Sequence, residues 1–127
     1  MSITYDKTSQ VRRQTLYYLA DNSIQYYDTI FKLTSDLSAS VRDLARYLLK
    51  TRDLNFREVY KGRIQVNDHK VGSLLGLAEV GTSEDLDLLR TLIESEDKKT
   101  RLACLIGIHK LDVQQAKVLA VRLFTDE

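Results

Sequence analysis

Apolar positions recur at helical spacing along most of the chain. Val41, Leu44, Ala45, Leu48 and Leu49 fall at i, i+3, i+4, i+7 and i+8, one stripe of a helix, with Ser38 or Ser40 as its N-cap. Leu86, Leu89, Leu92 and Ile93 repeat the pattern after Thr82-Ser83-Glu84-Asp85. There a hydroxyl cap precedes carboxylates that favour the positive end of the helix dipole, and Gly81 ends the helix before it. Asp97 caps a helix predicted to run through Leu111, and Asp112 caps a last one with Val113, Ala116, Ala120, Leu123 and Phe124 on one side. Leu102, Ala103, Leu105, Ile106 and Ile108 occupy more than one face of the former, which predicts a helix largely buried between neighbours. Truncating Leu105 to Ala is then expected to cost about 2–5 kcal/mol. Upstream, Asp6 and Ser23 are read as starting helices near 7–20 and 24–34, and Asp68 one near 69–80. A weaker helix covers 54–65, where Gly62 and the β-branched Ile64 lower helix propensity, as does Val66 just beyond.

Eight predicted helices make four hairpins, and the hairpins share a register. Val11-Arg12, Val41-Arg42, Val71-Gly72 and Thr100-Arg101 stand in equivalent places, offset by 30, 30 and 29 residues. An offset of this size implies stacked supersecondary units, each too small to bury its apolar face without a neighbour. The expected fold class is all-α, an α-α superhelix of about four helical hairpins forming a single domain over 1–127. Proline is absent, which suits helices joined by turns of Gly, Ser, Asp and Asn.

The segment 40–49, SVRDLARYLL, resembles the first helix of a HEAT repeat. Residues 74–81, LLGLAEVG, followed by TSEDLDLLRTLI at 82–93, resemble the end of that helix, the turn and the second helix in the short HEAT variety known also from phycobilisome lyases. EDKKTRLACLIG at 96–107 resembles the start of the next unit. The likeness is closest over 68–124 and fades before 36. It departs from the pattern at Gly72, where arginine is expected, and in lacking the turn proline. The resemblance implies an α-solenoid of HEAT or armadillo-like type whose second helices line a concave binding face. It also implies a structural ladder role for Asp97 and Arg101. The last helix runs almost to Glu127 without a clear cap, so the chain is expected to be a segment of a longer repeat protein or to self-associate through a terminal repeat.

A formal net charge of +1 over 127 residues gives no global case for nucleic-acid or membrane binding. Cys104 is the one cysteine and cannot form an intramolecular disulfide, and no signal-like start or long apolar run is present. A cytoplasmic protein is expected. His69 and His109 lie far apart, and His109 is five residues after Cys104, a spacing that puts the two on different helical faces, so no metal site is expected. Cys104 among Leu102, Ala103, Leu105 and Ile106 reads as a small core residue rather than a nucleophile. Glu84, Asp85 and Asp87 read as first-turn carboxylates, and Gly76 and Gly107 as sites of close helix packing rather than a phosphate loop. No cofactor is expected, and an enzyme such as a chromophore lyase, suggested by the repeat variety, finds no acid-base pair in the residues.

Charge and tyrosine carry the remaining signals. From Arg42 to Arg63 the basic residues Arg42, Arg46, Lys50, Arg52, Arg57, Lys61 and Arg63 outnumber Asp43, Asp53 and Glu58 by 7 to 3. From Glu79 to Asp97 seven carboxylates face only Arg90. Tyr17-Tyr18 and Tyr26-Tyr27 are adjacent pairs, of which at most one member each can be centred on the core. The expected function is a non-enzymatic protein-protein interaction or scaffold module. Tyr26, Tyr27, Lys32, Arg57, Lys61 and Arg63 on the second helices of the first two hairpins are the expected partner contacts. The alternative is binding of a nucleic-acid backbone through the basic 42–63 stretch.

Overall fold

A computed structural model of the chain describes residues 8–22 and 24–125, and among these there are eight α-helices and no strand. The chain divides into two compact units, Met1–Asn55 and Phe56–Glu127.

The first unit contains α1 (Ser9–Ala20), α2 (Tyr27–Leu33) and α3 (Ala39–Leu48), followed by a single 3-10 turn over Lys50–Arg52. The α3 helix packs against both α1 and α2. Leu16, Ile30, Leu33, Val41, Leu44, Ala45 and Leu49 form the buried interior, so the stripe read from the sequence is the packed face, apart from the half-buried Leu48. Burying each such aliphatic side chain contributes about 1.5–3 kcal/mol. The cap of α1 is Thr8, whose hydroxyl accepts from the Val11 N–H at 3.3 Å. Asp6 and Ser23, read as caps, lie outside the described residues, and α2 begins later than 24, at Tyr27, with no side-chain cap. Ser38 holds the N-cap position of α3. The α2–α3 turn is tied down by Asp36, which accepts from Arg12 through two bonds of 2.7 and 3.0 Å and from the Ser38 N–H at 2.8 Å.

The second unit contains α4 (Phe56–Gln65), α5 (Lys70–Val80), α6 (Leu86–Leu92), α7 (Lys98–Leu111) and α8 (Val113–Thr125), with a 3-10 turn over Ser83–Asp85 leading into α6. The α5 helix packs on α4 and α7, and α7 packs also on α6 and α8. Tyr60, Leu74, Leu77, Leu89, Ile93, Cys104 and Ile108 are at the centre of this core. Although Gly62 weakens α4, that helix runs its full ten residues, because Tyr60 and Ile64 are anchored in the interior.

Three sequence expectations change here. The α7 helix is buried along Thr100, Ala103, Cys104, Gly107 and Ile108, while Leu102 and Ile106 are 55% and 39% exposed. Leu105 is half-buried, so the large truncation cost belongs to the enclosed Ile108 instead. Finally, Asp68 does not cap α5: its carboxylate bonds His69 Nδ1 at 2.6 Å, and His69 takes the cap position in a left-handed conformation, φ 47°. Asn67 is left-handed as well, φ 62°, and the two together turn the chain sharply between α4 and α5.

Arg42 and Arg101, equivalent in the repeat register, act alike. Each guanidinium reaches back six residues to a carbonyl in the preceding turn, Asp36 O at 3.0 Å and Ser95 O at 2.6 Å. Asp97 is the N-cap of α7, accepting from the Lys99 N–H at 3.2 Å and from the Thr100 hydroxyl at 2.7 Å. Asp97 and Arg101 thus hold the start of their own helix.

Candidate functional site

Of the residues expected to meet a partner, Arg57 and Lys61 are drawn together in the second unit by a buried carboxylate. Asp85, 1% exposed, accepts two bonds from Arg57, 2.7 Å from Nε and 2.9 Å from Nη2, and lies 3.7 Å from Lys61 Nζ. Thr82 completes the arrangement: its N–H donates to Asp85 at 2.9 Å while its hydroxyl accepts from the Glu84 N–H, a capping box at the start of the 3-10 turn. Glu84 adds an exposed contact to Arg57 at 3.2 Å. Burial alone pushes the Asp85 carboxyl up. The Arg57 bond, the Thr82 N–H and the nearby positive charges outweigh it and hold the group below its ordinary value. Arg57 is raised in turn, chiefly by its bond to Asp85. This cluster ties α4 to the α5–α6 turn and acts structurally. The sequence alone reads Asp85 as a first-turn carboxylate that favours the helix dipole. Its signal was the separation of 28 residues from Arg57, close to the repeat offset, which also relates Glu94 to Arg122 at 3.4 Å.

In the first unit, Tyr27 is half-buried and stacks on Phe31 with ring centroids 5.5 Å apart, while Arg52 lies 4.7 Å from the Tyr27 ring. Tyr26 and Lys32 are exposed. Neither member of the Tyr17-Tyr18 pair enters the core, at 50% and 77% exposure, and among the described residues the tyrosine that does so is Tyr60. Much of the 42–63 positive charge is engaged within its own unit. Arg42 is buried on the Asp36 carbonyl, Arg46 pairs with Asp43 at 3.8 Å and Lys50 sits 4.1 Å from the Tyr47 ring. Arg63 is half-buried on α4.

A feature with no signal in the sequence is a trough between α7 and α8 of about 350 Å³. Leu105 and Ile106 face Ala116 and Ala120 across its floor, and His109, Lys110 and Lys117 stand along its edge. Asp112 joins the helices, its carboxylate accepting from the Gln115 N–H at 3.2 Å, so α8 folds directly back beside α7. The same helix leaves Val113, Val118 and Val121 43%, 71% and 65% exposed. A second hollow of about 340 Å³ lies along the opposite edge of α8, lined by Arg90, Gln115, Val118 and Leu119 among others.

Cys104 is fully buried, and desolvation pushes its thiol up to about 12 despite the Lys70 charge, which leaves it inert as a nucleophile. His69 and His109 are both exposed, and among the described residues no group of three potential metal ligands comes together. No helix of the described residues is long and apolar enough to cross a membrane. Comparison of the chain with protein-family models, curated proteins and solved structures finds no match.

Proposed function

We propose that this chain is a non-enzymatic protein-interaction module, a HEAT-like α-solenoid scaffold acting in the cytoplasm. The observation that carries the reading is the apolar surface of α7 and α8. Leu102, Ile106, Val113 and Val121 are all more than a third exposed on two adjacent helices that enclose a trough with an apolar floor, and Val118 is exposed on the opposite edge of α8. Exposed apolar side chains beside a groove that carries polar residues along its edge are the usual mark of a surface that another protein covers. The binding of a nucleic-acid backbone draws less support, because Arg42, Arg46, Arg57 and Lys61 already face carboxylates or carbonyls of their own unit.

Affinity capture from a native lysate, with and without nuclease and at two salt concentrations, separates the two readings. A stoichiometric protein that survives nuclease is the expected result. Recovery of nucleic acid alone, lost as salt rises, would replace the interaction reading with the backbone-binding one.

A further inference from the structure

We infer that the α7–α8 trough receives an amphipathic helix with acidic flanks, contributed by a protein partner. This rests on the interaction-module reading and adds to it the chemistry of the partner. The lining by Leu105, Ile106, Ala116 and Ala120 is apolar, and alanines are small enough to leave room beside the larger side chains. A ridge of leucine-sized groups fills such room in the way one helix packs into the groove of another pair.

The form of the occupant follows from what the unit can offer. Among the described residues there is no strand, so no sheet edge is available for an extended peptide to pair with. The lining side chains on each helix fall at helical spacings, Leu105, Ile106, His109 and Lys110 on α7 and Ala116, Lys117 and Ala120 on α8. They present a trough between two helices, which a third helix can enter.

Charge selects the sign of that rod. Lys110 and Lys117 stand at the rim, His109 adds a third nitrogen base, and among the described residues no carboxylate lines the trough. Among the described residues none of these three makes an ion pair. Two uncompensated ammonium groups beside an apolar floor favour carboxylates flanking an apolar ridge and penalise a basic helix. A phosphate backbone would meet the lysines but lay its charges against the four apolar side chains, where nothing solvates them.

The test uses the full chain and a fluorescent designed helix of about five turns, with leucines at i, i+3, i+4 and i+7 and glutamates on both flanks. The same peptide with lysines in place of the glutamates, and a DNA duplex, serve as the other probes. The wild-type chain is expected to prefer the glutamate peptide by about tenfold or more, and a Lys110→Glu/Lys117→Glu variant to invert the preference. Both lysines are exposed, and an unchanged far-UV spectrum verifies that the variant folds. Equal affinity for the two peptides, binding of neither, a preference that survives the double reversal, or DNA displacing the peptide overturns the inference. Lysate capture by the same variant separates the two claims. A stoichiometric partner held undiminished would sink the trough proposal and leave the module reading standing, whereas a wild-type chain that captures only nucleic acid removes both.

Discussion

A Cβ on Gly76 would stand 2.3 Å from Cζ of Tyr60, so the ring of the largest buried side chain occupies the space that any other residue at 76 would need. Glycine at this point of α5 is what lets α4 lay an aromatic ring flat against the neighbouring backbone. The packing role read for Gly76 from the sequence thus has a specific partner on the preceding helix.

Gly76→Ala is therefore expected to destabilise the chain by about 2 kcal/mol, overpacking outweighing the gain in helix propensity. Urea unfolding measures it. Combined with Tyr60→Leu, the pair should cost less than the sum of the single changes, since the smaller side chain vacates the clash. Strict additivity would show that the two residues do not meet.

At Gly62 the outcome reverses. A Cβ there has no neighbour within 4 Å, so Gly62→Ala in α4 is expected to stabilise by about 0.5–1 kcal/mol through propensity and the lost entropy of the unfolded chain. A drop in the thermal midpoint of this variant would mean that the exposed face of α4 is misassigned.

The ion cluster makes stability depend on pH in one direction. Asp85 in the folded chain titrates below its ordinary value of 3.8, so the unfolded chain binds this proton first as pH falls. Its contribution is complete well above 3.8 and is lost as pH drops through 3.8 and on through the lower folded value. Asp97 adds to the same slope, held down chiefly by the Thr100 hydroxyl. Denaturant midpoints should be level from neutral pH to about pH 5 and fall below it. Asp85→Asn should flatten part of that fall, while Asp85→Ala should cost about 3 kcal/mol at pH 7 by orphaning its partners. A variant losing stability to acid as steeply as the wild type would contradict the assignment.

Cys104 should resist a thiol reagent in the native chain at pH 8 and react at once in denaturant. Its thiol is fully buried and pushed up to about 12, so labelling waits on opening of α7 from the core. Labelling of the native chain at the rate of a free thiol would place Cys104 outside the core.

The elements themselves were largely legible in the sequence, for a physical reason: local spacing and capping chemistry decide them. The stripe Val41 to Leu49, the Thr82 turn and the Asp97 and Asp112 caps depend on residues within a turn or two of one another. What the spacing could not convey is which neighbour covers a second apolar face. For that reason α7 was read as enclosed, although Leu102 and Ile106 lie open. The caps at His69 and Thr8 turned on backbone geometry, a left-handed His69 and a helix start at Ser9, that residue type alone does not specify. Arg57 and Lys61 looked like free surface charge because their partner Asp85 comes from another helix pair. The trough was illegible for the same reason, its two walls being set by the docking of α8 on α7.

The most direct measurement is a titration of the isotopically labelled chain with the glutamate-flanked helix, followed by amide chemical shifts. Saturable shifts concentrated at Leu105–Lys110 and Ala116–Ala120 are expected, with the amides of Arg42–Arg63 undisturbed. Shifts gathered instead on the basic stretch, or none anywhere as peptide is added, would contradict an interaction surface between α7 and α8.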